Sequence, residues 1–421
     1  MRGSRIRTAT FSPSSIGRKE TNSVSLTTRR SQIAGFLGLE PNILAVSAAM
    51  FLMGLGEELW KRFIPKYMEA LGAPVLAIGL YGTTSDFLDG IYQYPGGWVA
   101  DHLGRRAALR IFVATAMAGY AIYIVAPSWP WVFAGLLMMM GWTAMASPTL
   151  FAVVGDSLPV GRRAMGFTVQ SILRRIPIVI APTIGGFAIA AYGIRNGVRA
   201  GLLVSLILAA TTLIVVSRVQ ITLPQQLEPT NIFGVWRALP PILRKLLASD
   251  VFIRTGDGMV DVFLVLYATN IIGISAAQFG ILIAVQMATA IIVYIPAARI
   301  ADRIGRKPFV VATFAAFSLF PIAVVLSTGF ATLILAFMVG GLREIGEPSR
   351  KALIIDVAVP HLRARSVGIY YLLRSLAITP AAFIGGLLWK ITPALPFFVA
   401  GGIGMIGTIL FVATVSEEHA A

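Results

Sequence analysis

The chain has 421 residues, of which 57% are hydrophobic and only 13% charged, with a mean hydropathy of +0.79. A soluble domain carries about a quarter charged residues, so this composition excludes a water-soluble fold and points to helices that cross a bilayer. The formal charge of +16 sits mostly between the apolar runs, as the positive-inside rule requires, and does not call for nucleic acid. With no cysteine there is neither a disulfide nor a thiolate metal site, and His102, His361 and His419 fall in loops or the tail.

Residues 1–41 are rich in Ser, Thr and Arg and hold too little apolar surface to fold alone. They are expected to form a disordered cytoplasmic tail; an organellar transit peptide is the alternative for an Arg-rich, acid-poor start. Twelve apolar segments follow, at 43–66, 77–99, 107–126, 130–154, 165–191, 197–217, 251–272, 276–298, 308–328, 330–349, 366–389 and 394–415, each about long enough to span a bilayer. The expected fold is therefore all-α and integral to the membrane, with twelve transmembrane helices. The expected halves are 42–217 and 251–416, each of six helices, joined by a cytoplasmic linker over 218–250 with Pro224, Pro229, Pro240 and Pro241 and followed by a short tail, 417–421. An even number of spans with basic loops inside puts both termini in the cytoplasm of a bacterial inner (plasma) membrane.

A charged stretch after the second span, Gly97-Trp98-Val99-Ala100-Asp101-His102-Leu103-Gly104-Arg105-Arg106, recurs after the eighth as Ala298 to Lys307, with Asp302, Gly305, Arg306 and Lys307 in the same order. The repeat extends further: Glu57 lines up with Asp257, Arg174 with Arg374, and Gly185-Gly186 with Gly385-Gly386. The pattern G-x-x-x-D-x-x-G-R-R/K resembles the signature loop between helices 2 and 3 of the major facilitator superfamily, repeated between helices 8 and 9, with Ala298 in place of the leading glycine. That resemblance implies two pseudo-symmetric six-helix bundles that rock about a midplane site. It also implies a conformational latch formed by Gly97, Asp101, Gly104, Arg105, Arg106, Asp302, Gly305, Arg306 and Lys307, with Asp101, Arg105 and their repeats contacting neighbouring helix ends. Pro182-Thr183-Ile184-Gly185-Gly186 is similar to the end of the helix 5 motif of drug-proton antiporters. Pro177 and Thr168 stand where that motif has glycines, and Thr143 stands where the second half has Arg343.

Ionisable groups inside the spans carry the functional expectation, because each costs at least ~2.5 kcal/mol at the bilayer centre. Glu57, beyond the midpoint of the first span, is expected in a shared cavity, while Glu58 reads equally as interfacial. Asp86, Asp89 and Gln93 fall on one helical stripe, and two carboxylates one turn apart favour a proton held on one of them. A structural pairing of one with Arg174 or Arg374 is the alternative. On the seventh span Arg254 is expected to neutralise Asp257, leaving Asp261 as the preferred proton carrier without a local cation. Arg343 and Glu347 are expected to pair within the tenth span beside Glu344, with a kink at Pro348. Arg174, Arg175 and Arg374 call for an anion or a carboxylate. Met138, Met139, Met140, Trp142 and Met145 read more readily as packing than as ligand lining.

No phosphate-binding G-x-x-x-x-G-K-S/T loop and no catalytic triad or metal constellation is present in the spans, so neither ATP, an enzyme, a metal nor a cofactor is expected. The expectation is a secondary active transporter of a small solute, working by alternating access, proton-coupled and exporting. Uptake by proton- or sodium-coupled symport is the alternative, and a non-transporting sensor or assembly protein is the alternative of another class. The expected partners are a small-molecule substrate, protons or sodium, and membrane lipids, without nucleic acid, for a monomer.

Overall fold

The computed structural model describes residues 41–146, 149–150, 160–218, 240–357 and 363–415. The expected tails, most of the linker (219–239), and the side chains of Arg174 and Asp302 lie outside the described residues. Secondary structure there is helical throughout, with no strand among the described residues. In order the first half holds α1 (Pro41–Glu58), α2 (Ile64–Ala70), α3 (Val75–Leu103), α4 (Arg105–Val125), α5 (Pro130–Met140) and α6 (Val160–Val216). The second holds α7 (Pro241–Val260), α8 (Ala276–Ile304), α9 (Lys307–Val325), α10 (Phe330–Leu342), α11 (Glu347–Val357), α12 (Arg363–Ile378), α13 (Ala381–Ile391) and α14 (Leu395–Thr414).

The expected apolar segments fall largely on helix over their described residues, but several boundaries differ. α6 covers the fifth and sixth segments and turns back on itself at Gly193, whose φ of 77° only glycine adopts freely. Among the described residues, six segments are long and apolar enough by themselves to cross a bilayer; other passes are broken by short irregular turns. The seventh pass starts at Pro241 rather than 251, so the last ten residues expected in the linker are helix. Pro241 occupies the first helical turn, where its missing N–H costs nothing, and Leu243, Leu246 and Leu247 bury one face although Arg244 and Lys245 disguise it. The charged stretch at 97–106 is likewise helical except at Gly104, whose φ of 82° reverses the chain, as Gly305 does at φ 98°.

The duplication is visible in matching close approaches. Gly185 lies against the Leu59 carbonyl and Gly385 against that of Met259, each within its own half. Gly186 lies against Ala276 of the second half, and Gly386 against Val75 and Gly79 of the first. The first and seventh passes also break alike, into 3-10 turns at Lys61–Phe63 and Asp261–Phe263. These matches give the two pseudo-symmetric bundles expected from the repeat.

Contacts between the halves gather at the end opposite Gly104 and Gly305. The Phe63 and Phe279 rings meet edge to face at 5.9 Å. Thr183 Oγ1 donates to the Gly280 carbonyl at 3.2 Å, and the Phe383 amide donates to Thr83 Oγ1 at 3.0 Å. Asn270 donates to Glu69 at 2.7 Å and accepts from Lys66. That end is closed by ring contacts and hydrogen bonds together.

Candidate functional site

A cavity of about 550 Å³ lies between the halves. α3 contributes Asp86, Asp89 and Gln93, α7 contributes Arg254 and Asp257, the turn after it contributes Asp261, and α12 contributes Arg374. Lys61, Arg62, Tyr81, Met139, Met140 and Thr143 complete the first-half wall. The polar stripe expected on the second span therefore does face a shared cavity.

Asp86 is half-buried and makes no hydrogen bond or ion pair among the described residues. Its electrostatic neighbours are three other acids, Asp261, Asp89 and Asp257. Asp261 does have a cation, against expectation: Arg62 stands 3.5 Å away, contributed from the other half by the turn after α1, and also 3.7 Å from Glu58. A continuous first helix would have hidden this contact, since Arg62 would follow α1's rotation instead of the break.

The charges of the second half pair across helices more than along them. Arg254 lies 3.9 Å from Asp257 but bonds Glu347 at 2.5 Å. Asp257 is held by Arg343. The expected Arg343–Glu347 pair does not form, because α10 stops at Leu342 and the chain turns through Arg343–Gly346 before α11 begins. The break thus precedes Pro348, and the Gly346 amide is held by Thr313 Oγ1 at 2.6 Å. Glu344 instead bonds Arg175 of the first half at 3.1 Å, with that guanidinium 4.7 Å over the Tyr294 ring.

Behind the cavity lies a buried network that sequence reading missed. Arg350, 1% exposed, donates to Asp250 at 2.7 Å and to Glu347 at 2.9 Å. The Tyr370 hydroxyl donates to Asp250 at 3.0 Å, and Arg374 stands 3.6 Å from the same oxygen. Asp250 falls within the expected linker, and the helical spacing Leu243, Leu246, Leu247, Asp250 is the signal that places it on α7.

Glu57 does not line the cavity. It is buried in the first half, where the Tyr120 hydroxyl donates to Oε1 at 2.9 Å and Thr143 donates at 3.1 Å. Thr143 belongs to a π-helical turn, Gly141–Met145, of the kind that re-aims side chains at functional positions. Of the latch candidates, Gly97 meets open space, and its neighbour Gly96 makes the close approach, to the Met145 backbone. Asp101 and Arg106 are exposed and Arg105 is buried. Lys307 donates to the Val412 carbonyl at 3.2 Å near the end of α14.

The family profile described as Major Facilitator Superfamily matches residues 46–253 and 246–421. An uncharacterized MFS-type transporter of Methanocaldococcus jannaschii is 23% identical over 398 residues, covering 89% of this chain and 95% of that one. The quinolone resistance protein NorA of Staphylococcus aureus is 24% identical over 174 residues, 41% of this chain and 45% of its own length. Among solved structures, a POT family transporter in complex with 5-aminolevulinic acid aligns with a TM-score of 0.73 at 13% identity, covering 88% of this chain and 95% of that one. A D-xylose-proton symporter aligns at 0.68 with 14% identity, covering 90% and 98%. At such identities the solved structures establish a common fold.

Proposed function

The chain belongs to the Major Facilitator Superfamily, and from that premise we propose that this membrane transporter exports a small solute in exchange for protons by alternating access. The observation that carries the coupling is Asp86, a cavity carboxyl among three acids with no bonded partner among the described residues. A proton on such a group relieves repulsion, and a cationic solute does the same, so the two compete for one position. Similarity to a quinolone resistance protein over part of the chain supports export.

The closed end faces outward and the Gly104 and Gly305 loops face the cytoplasm of the bacterial inner membrane, with both termini there. Asp101 and Arg105, with Asp302 and Arg306, engage neighbouring helix ends when the outer end opens. The inner end then closes around the midplane site.

The test uses everted vesicles acidified by respiration, with a dye that reads the pH gradient. Addition of quinolones or permanently charged organic cations is expected to dissipate the gradient in the wild type and not in Asp86→Asn. A gradient indifferent to every compound, or dissipated equally by Asp86→Asn, contradicts the proposal. Dissipation that requires a sodium gradient would assign sodium as the coupling ion, and inward proton movement accompanied by solute entry in right-side-out vesicles would assign symport.

A further inference from the structure

The charges left over in the cavity narrow the chemistry of the solute, granted the transporter reading above. In the second half Asp257 takes Arg343, while Glu347 takes Arg254 and Arg350. Asp250 takes Arg350 and the Tyr370 hydroxyl. Arg374 is a fourth guanidinium beside these three carboxylates, and its one ion pair among the described residues is a long one. Its nearest carboxylate oxygen, Asp250 Oδ2, is 3.6 Å away and already accepts bonds at 2.7 Å and 3.0 Å. Its Nε is buried with no hydrogen-bond partner among the described residues. The guanidinium lies 4.7 Å over the Tyr371 ring, which holds its orientation without cancelling its charge.

Arg374 and Asp86 both line the cavity, so one wall offers a guanidinium whose ion pair to Asp250 is long and whose Nε has no hydrogen-bond partner among the described residues, and another offers an acid with no bonded partner among them. Their separation follows from the packing of α3 on α12 and α13. Gly79 meets Ala382 and Gly90 meets Ser375, so these helices run antiparallel. Asp86 lies four residues from Gly90 on one side, and Arg374 precedes Ser375 on the other. At 1.5 Å of rise per residue the two backbone positions are roughly 7 to 8 Å apart along the helices. Tyr81, Met139, Met140, Phe279 and Ile378 add apolar surface to the same cavity.

We propose that the solute is a zwitterion with an apolar body, its ammonium group seated at Asp86 and its carboxylate at Arg374. Arg374 then distinguishes a zwitterion from a simple cation, while Asp86 exchanges the ammonium group for a proton. A bidentate guanidinium–carboxylate contact in a partly dry cavity is among the stronger polar contacts available to a ligand.

The test uses the full-length protein in detergent and matched compounds on several aryl scaffolds. Each set contains an amino acid with its two charges about this far apart, its methyl ester as the cation, and its N-acetyl derivative as the anion. Titration calorimetry is expected to show the zwitterion binding at least about tenfold more tightly than its ester. Arg374→Gln is expected to bring that ratio to about one, and Arg374→Lys to keep part of it. Zwitterions that bind no better than their esters, or not at all, overturn the proposal, as does a ratio that survives Arg374→Gln. The esters in the vesicle assay keep the two readings apart. If they dissipate the proton gradient through Asp86 while the zwitterions gain nothing, transport stands and the substrate class falls.

Discussion

Glu57 and Asp257 occupy equivalent positions in the two halves, yet their surroundings differ in kind. Glu57 is buried and accepts from two neutral hydroxyls, those of Tyr120 and Thr143. Asp257 faces the cavity and is held by Arg343, which stands where the first half has Thr143. Duplication preserved the backbone while the compensating chemistry diverged. The second half became a network of ion pairs, and the first kept its cavity acids Asp86 and Asp89 on α3. A charge network resists change of protonation, so the proposed proton exchange is expected at the first-half wall, with the second half as its fixed counterpart.

The largest effect is expected where the network is driest. Arg350→Leu would leave Asp250 and Glu347 buried without their main cation, a loss of about 3–5 kcal/mol, and thermal unfolding in detergent should show a large drop in midpoint. An unchanged midpoint would mean that the ion pairs do not hold the second half together. Asp257→Asn should cost less, about 1–3 kcal/mol, because its side chain is 27% exposed to the cavity and water replaces part of what Arg343 loses. Glu57→Gln sharpens the contrast. Its amide oxygen still accepts from Tyr120 and Thr143, so the expected loss is below about 1 kcal/mol. Equal losses for Asp257→Asn and Glu57→Gln would erase the distinction between the halves. The smallest stability effect belongs to Asp101→Asn, within about 0.5 kcal/mol at an exposed position, with a fall in transport rate that reports the latch. A normal rate at normal expression would remove Asp101 from that role.

The membrane passes were legible because long apolar runs have few interpretations, and the reversals at Gly104 and Gly305 because only glycine takes those torsions easily. The stripe of Asp86, Asp89 and Gln93 was legible for a similar reason, since helical periodicity decides which residues share a face. Partners were not. Spacing along one helix suggested Arg343 with Glu347, a pair that does not form, and Arg254 with Asp257, which do stand 3.9 Å apart although the shorter contacts run from Arg343 to Asp257 and from Arg254 to Glu347. Such choices depend on which helices lie side by side and where each breaks. Pro348 marks a break near Arg343–Gly346 without giving its extent, and nothing in the local sequence marks the 3-10 turn that carries Arg62 to Asp261. Glu57 shows the same limit, because burial depth along a span does not say whether a side chain points into its own bundle or out of it.

Alternating access about the shared cavity can be tested without knowing the solute's affinity. The chain has no cysteine, so Lys66→Cys with Asn270→Cys places a lone thiol pair across the closed end, where the native side chains already meet. Bridging the two thiols with a bifunctional thiosulfonate long enough to replace the reach of the lysine side chain is expected to link the halves and stop proton-gradient dissipation by transported solute, and reduction is expected to restore it. Full dissipation by the cross-linked protein would show that solute crosses without this end opening, and would contradict the account.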